Sequence, residues 1–193
     1  MTKSPPFVTF YFNRAGSVNT ATTLKLALTS ATNLKIRHLI VASTTGRTIL
    51  QLLKMAPPKI NIVCVTHQSG FARPGKSELS ASTEKQLRAH GISVLRTTHL
   101  FAGVNRALRL KFGGVAPPEI IAHTYRTLGE GLKVAVEISV MALDAGLIPY
   151  GNDVISIGGT SRGADTAIVI QPAHSHQFFE TRIKQIICKP LLF

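Results

Sequence analysis

A chain of 193 residues, 45% hydrophobic and 16% charged, has the length and composition to bury one core as a single domain spanning 1–193, which excludes a disordered or collagen-like protein. Twenty-two Lys and Arg against nine Asp and Glu leave a net charge of +13 with histidines neutral, a field that attracts anionic partners. Cys64 and Cys188 lie in apolar runs without metal-ligand spacing; this disfavours a disulfide framework or structural zinc and points to a reducing, cytoplasmic setting.

The N-terminus lacks an apolar h-region, so no secretory signal is expected. Phe7 to Phe12 reads as a strand. From Asn19 to Leu34 the spacing of Leu24, Ala27, Leu28 and Ala31 predicts a helix, with Asn19 or Thr20 as its cap. His38 to Ala42 is a continuous apolar run, as in a strand covered on both faces, and Ile49 to Met55 is helical until Pro57-Pro58. Asn61 to Thr66 is a second buried strand. A long Gly- and Pro-rich loop follows to Leu79 and suits a lid or binding element. Ser80 or Ser82 opens a short helix to His90, Gly91 ends it, and Ile92 to Leu95 is a strand. This alternation predicts a mostly parallel sheet with helices on both faces.

Residues 100–112 read as helical. Beyond Pro117-Pro118, a helical stretch from Glu119 to Ala145 is expected, with a break near Gly129 and Gly131. It is apolar nearly all round, and Lys133, Glu137 and Asp144 are expected to keep one narrow polar face. Three charges in so short a stretch argue against a membrane span and for a helix packed deep in a core, so no membrane partner is expected. Strands are predicted at 153–157, 167–170 and 184–188. The basic residues are scattered, densest at Arg106, Arg109 and Lys111, and Trp is absent. A nucleic-acid function is therefore disfavoured, though the charge leaves it open.

Two loops concentrate groups that hold anions. Ser43-Thr44-Thr45-Gly46-Arg47-Thr48 joins a strand to a helix, and packs four hydroxyls, a glycine and a guanidinium into six residues. An N-cap with an exposed arginine is the plainer alternative. No Gly-Lys-Ser/Thr is present, so it is not a Walker A loop. The second loop, Gly158 to Thr166, contains Gly159, Thr160, Ser161, Arg162 and Gly163, and suits wrapping around an anionic group better than a simple hairpin. Asp165 is read as an internal brace. His67 and His99 could line the same cleft. His174-Ser175-His176 has no carboxylate near it in sequence and is disfavoured as a metal site; no metal is expected. Cys64 is read as core. No nucleophile elbow or zinc-protease motif occurs, and catalytic residues are unassigned.

Several stretches, taken together, resemble one family: Val41-Ala42-Ser43-Thr44-Thr45-Gly46, Lys111-Phe112-Gly113-Gly114, Gly131 to Ile138, Asp144 to Pro149, Ile157-Gly158-Gly159-Thr160, Arg162 to Thr166 and Ile186 to Pro190. The chain is similar to stand-alone proteins like the C-terminal alpha/beta domain of pyruvate kinase. The resemblance implies a three-layer α/β/α sandwich, its sheet mostly parallel with an antiparallel C-terminal part. In pyruvate kinases the two corresponding loops form the allosteric sugar-phosphate pocket, which sets Ser43, Thr44, Thr45, Gly46, Arg47 and Thr48 opposite Gly159, Thr160, Ser161, Arg162 and Gly163. The stand-alone relatives imply flavin mononucleotide (FMN) as the best candidate ligand, with Phe71, His99, Phe101 or Tyr125 contacting its ring. Kinase activity is not implied, because a catalytic barrel takes about 250 residues by itself. Self-association is implied by the use of this domain at pyruvate kinase subunit contacts. This chain is more basic than the family pattern. The expected function is binding of a phosphate-bearing small molecule; the alternatives are a flavin- or phosphosugar-dependent enzyme and a basic nucleic-acid-binding or regulatory module.

Overall fold

The computed structural model describes residues 8–57 and 60–193, so the expected strand start at Phe7 and the second proline of Pro57-Pro58 lie outside the described residues. Among the described residues seven strands form one sheet: β1 (Phe10–Arg14), β2 (His38–Ala42), β3 (Asn61–Thr66), β4 (Ser93–Arg96), β5 (Val154–Gly158), β6 (Thr166–Gln171) and β7 (Arg182–Leu192). Their order is β1-β7-β6-β5-β2-β3-β4. β5, β2, β3 and β4 run parallel, as do β1 and β7. β6 is antiparallel to both its neighbours. The expected mixed sheet, parallel with an antiparallel C-terminal part, is the one that forms.

Six α-helices accompany it: α1 (Thr20–Leu34), α2 (Arg47–Leu53), α3 (Ala81–Ala89), α4 (Val104–Phe112), α5 (Pro117–Arg126) and α6 (Glu130–Asp144). Successive strand residues point to opposite faces, and in β2, β3, β5 and β6 both faces are covered, which is why these strands are dominated by apolar residues. Leu39, Val41, Ile62, Cys64, Ile155 and Ile157 face α1, α2 and α3. Ile40, Val63, Val65, Val154, Ile168 and Ile170 face α5 and α6. On α1, the predicted stripe of Leu24, Ala27, Leu28 and Ala31 is buried. Neither expected cap side chain bonds the first turn of α1: Asn19 donates to the Arg14 carbonyl at 2.7 Å, and Thr20 to the Ser17 carbonyl.

Several boundaries differ from expectation. The first strand runs to Arg14, and α2 ends at Leu53, ahead of Pro57. Pro117 and Pro118 sit inside the first turn of α5, where a missing N–H leaves no intrahelical bond unmade. The long helical stretch divides at Gly129, whose φ of +121° no ordinary residue holds cheaply, and α6 begins afresh at Glu130.

The expected polar face of α6 is overturned. Twelve of its fifteen residues are buried, and Lys133 and Glu137 are among them, at 6% and 4% exposure. They face each other one helical turn apart, Nζ to Oε2 at 2.5 Å, and the Phe101 N–H donates to the other Glu137 oxygen at 2.9 Å. A buried charge survives only when paired and hydrogen-bonded in this way. Asp144 alone keeps a solvent-facing role, near His174. No helix among the described residues is long and apolar enough to cross a membrane.

Candidate functional site

The chain leaves β2 through α2 toward β3 on one side and reaches β5 through α6 on the other. β2 and β5 are parallel neighbours, with Val41 opposite Ile157. Their carboxyl ends therefore form a topological switch point, where open α/β sheets place ligands. Both loops singled out in the sequence leave from this edge.

The first loop is fastened by its backbone. Ser43 N–H donates to the Val65 carbonyl at 3.0 Å, and the Thr66 hydroxyl donates to the Thr44 carbonyl at 2.9 Å. Ser43 and Thr48 are buried, Thr44 is half-buried, and Thr45 and Arg47 are exposed. Gly46 has φ +86°, and a Cβ there would lie 2.6 Å from Thr83 Cγ2 and 3.2 Å from Leu79 Cδ1. The absent side chain thus lets the N-terminal end of α3 close over the loop. Ser80 caps that end, its Oγ accepting from Thr83 N–H at 3.1 Å. Because α2 has only seven residues, its dipole is short.

The second loop is fastened by Asp165, which is fully buried. One carboxylate oxygen accepts from Gly16 N–H at 2.9 Å and Thr160 N–H at 3.1 Å, and the other from the Thr166 hydroxyl at 2.9 Å. This is the internal brace read from the sequence. Ala164 N–H donates to the Thr20 hydroxyl, so the loop is also held to the start of α1. Space beside Gly163 is taken by Ser17 and Thr20, and space beside Gly158 by the Gly131 carbonyl of α6. Thr160 Oγ1 is buried without a hydrogen-bond partner, and Ser161 holds a left-handed φ of +60°. Neither Arg47 nor Arg162 pairs with a carboxylate among the described residues.

Beside the first loop lies a cavity of about 210 Å³. Ser43, Thr44 and His67 are on its wall; Thr45, Gly46, Arg47, Thr48 and residues 159–163 are not. Phe71 and His99 complete a ring cluster with His67, with centroids 4.0 Å apart for His67–Phe71 and 5.2 Å for each pair with His99. Glu78 holds His67 Nδ1 at 2.7 Å. Burial, together with His67 and the cations Lys133 and Arg106, pulls the His99 pKa below the usual histidine value against the opposing pull of Glu137. Lys133 and Glu137 line it as a pair, and Arg106 stands on the wall without a carboxylate partner among the described residues. Of the other rings expected near a ligand, Phe101 is buried against Phe178 and Tyr125 packs on the same ring; neither lines this cavity.

Arg106, Lys133 and Glu137 were absent from the predicted site. The signal for the last two was present: a Lys and a Glu four apart in a helix otherwise apolar all round. Cys64 is core as expected, and burial pushes its thiol up to about 12. Near His174 the fold supplies a carboxylate that the local sequence lacks, Asp144, 2.9 Å from Nδ1.

A model of the pyruvate kinase alpha/beta domain matches residues 21–170. Among solved structures, a pyruvate kinase from Cryptosporidium parvum is 14% identical over 72% of this chain, with a TM-score of 0.38. A structure of Cryptosporidium parvum pyruvate kinase in complex with ADP is 13% identical over 86%, with a TM-score of 0.40. The matches span 20% and 23% of those chains, so this chain corresponds to about a fifth of their length.

Proposed function

The chain belongs to the pyruvate kinase alpha/beta domain family, and from that premise we propose that it binds a phosphate-bearing small molecule at the carboxyl ends of β2 and β5. One observation carries the reading: two hydroxyl-rich loops, each with an arginine that pairs with no carboxylate among the described residues, leave the carboxyl ends of two adjacent parallel strands. A phosphate there meets guanidinium forks and hydroxyl donors, both of which favour a dianion. The orphaned Thr160 hydroxyl gains a partner in such a complex.

The cluster of His67, Phe71 and His99 beside Ser43 and Thr44 supports a flat ring attached to that phosphate, and FMN is the best candidate. The 210 Å³ cavity is smaller than the roughly 300–1,000 Å³ usual for whole small-molecule sites, so such a ligand is only partly enclosed. The role supported is binding, without the phosphoryl transfer of a kinase, for which these residues contain no barrel.

Isothermal titration with FMN and with riboflavin tests the reading. FMN is expected to bind at least about a hundredfold more tightly, the worth of two charge-assisted contacts. Arg47→Ala and Arg162→Ala should each remove about tenfold of that affinity while shifting stability by less than about 0.5 kcal/mol, since both side chains are exposed. Equal affinity for the two flavins contradicts a phosphate-anchored site.

A further inference from the structure

A second cavity of about 380 Å³ lies between α4, α5 and α6. Its floor is apolar, formed by the buried Phe101 and Ala122. Around that floor stand Arg106, Arg109, His123, Arg126 and Lys133, and the one carboxylate on the wall is Glu119. Three of the cations are held by carboxylates: Arg109 by Glu119 at 2.6 Å, Arg126 by Glu130, and Lys133 by Glu137. Arg106 and His123 have no such partner among the described residues. Glu119 is itself committed, taking the Ala116 N–H at 3.1 Å as well as Arg109. Lys133 is more than nine-tenths buried, with its ammonium 5.6 Å from the Phe101 ring centroid.

The orientation of α4 is an independent observation. A surface helix ordinarily buries its apolar stripe and exposes its cations. None of the nine residues of α4 is buried, and Val104, Leu108, Leu110 and Phe112 are left in solvent, Phe112 at 73% exposure. Arg106 and Arg109 instead line the cavity. Arg106 and Arg109 are exposed as well, so α4 buries no face of its own, and its contribution to the neighbouring helices is the pair of guanidiniums it holds at the mouth of the cavity.

We infer that this cavity is a receptor for a small organic oxyanion, a phosphate monoester or carboxylate on a short apolar body. The body rests on Phe101 and Ala122, and the oxyanion takes the free donors of Arg106 and Arg109 in the forked geometry that guanidinium offers. Glu130 and Glu137 orient Arg126 and Lys133 before the ligand arrives, while Glu119 competes with it for Arg109. The two cavities share Ala102, Arg106, Arg126 and Lys133, and what separates this site from the flavin reading is that Arg109, Glu119 and His123 line this cavity alone, whereas Ser43, Thr44 and His67 line the other.

The test titrates the folded protein with phenyl phosphate, benzoate and inorganic phosphate, followed by calorimetry and by amide shifts. Phenyl phosphate or benzoate should saturate one site more tightly than inorganic phosphate does, and the stronger of the two identifies the oxyanion. Arg109→Gln should weaken that binding about tenfold, the worth of one charge-assisted contact. Glu119→Gln should tighten it several-fold, a gain that an unfolded variant cannot imitate. Arg47→Ala should leave it unchanged. The inference is overturned by absence of saturation at millimolar concentration, by inorganic phosphate binding as well as the aryl compounds, or by indifference to both Arg109→Gln and Glu119→Gln. Failure of FMN to bind while phenyl phosphate still responds to these two variants sinks the flavin reading and leaves this one standing.

Discussion

The loop after β2 and the loop after β5 share a composition of hydroxyls, glycine and one arginine, yet they are held in different ways. Ser43 N–H hangs on the Val65 carbonyl and the Thr44 carbonyl on the Thr66 hydroxyl of β3, and Gly46 makes room for side chains of α3. The second loop hangs on one buried carboxylate, Asp165, which gathers donors from Gly16, Thr160 and Thr166, and its glycines make room for backbone. Similar sequence thus conceals unequal support. The first loop sets Ser43 and Thr44 on the wall of a cavity, while much of the second is committed to holding three parts of the chain together.

The comparison breaks hardest at Asp165. Asp165→Ala strands three donors in a closed site and should cost about 3 kcal/mol or more. At roughly 2–4 °C per kcal/mol for a chain of this size, calorimetry should show melting lowered by several degrees. A variant melting within a degree of wild type would remove the brace from the account.

A pair of glycine substitutions comes next. Gly158→Ala drives a methyl into the Gly131 carbonyl, where only the backbone of α6 can yield, and should cost about 3 kcal/mol. Gly46→Ala meets the movable end of Thr83 and adds a left-handed backbone penalty, about 1–2 kcal/mol in all. Chemical denaturation should rank them in that order; the reverse ranking would mean the first loop is the stiffer.

Thr160→Val separates support from binding. Its hydroxyl is buried without a partner, so the isosteric change should leave the free protein as stable or stabilise it by up to about 1 kcal/mol. Affinity for a phosphate ligand should fall, and unchanged affinity would place the hydroxyl outside the site.

The smallest effect belongs to His99, on the first loop's side. Burial lowers its folded pKa below the unfolded value near 6.5, so the unfolded chain binds the extra proton first. Stability contributed by neutral His99 is therefore present above that value and lost as pH falls through and below it. Glu137 opposes the shift, while His67, Lys133 and Arg106 reinforce it. Melting followed from pH 7.5 to 5.5 should decline, and His99→Gln should flatten the decline.

Much of this architecture was readable in advance, for particular reasons. His38–Ala42 and Asn61–Thr66 were found to the residue, because a strand covered on both faces carries an unbroken apolar run. Of the two serines expected to open α3 it is Ser80 that caps it, and Gly91 ends it, through side-chain and backbone chemistry that acts within four residues. The helix at α5 and α6 was harder: prolines read as a boundary proved to be a first turn, because a helix start tolerates what its interior does not. Lys133 and Glu137 were assigned to solvent because charge ordinarily marks an exposed face, and no local pattern reveals that each is the other's partner inside a core.

Sequence alone therefore determined which segments become strands and helices, and which two loops carry groups able to hold an anion. Those properties depend on neighbours along the chain: periodicity, caps, and residues that permit a turn. Only the tertiary structure decided that β2 and β5 lie side by side, that Arg106 and Lys133 stand on the walls of two cavities, and that α4 lies on the surface with no residue buried. Such outcomes depend on which element covers which, and that is set by competition among many apolar surfaces for the same buried space rather than by any stretch of sequence read by itself.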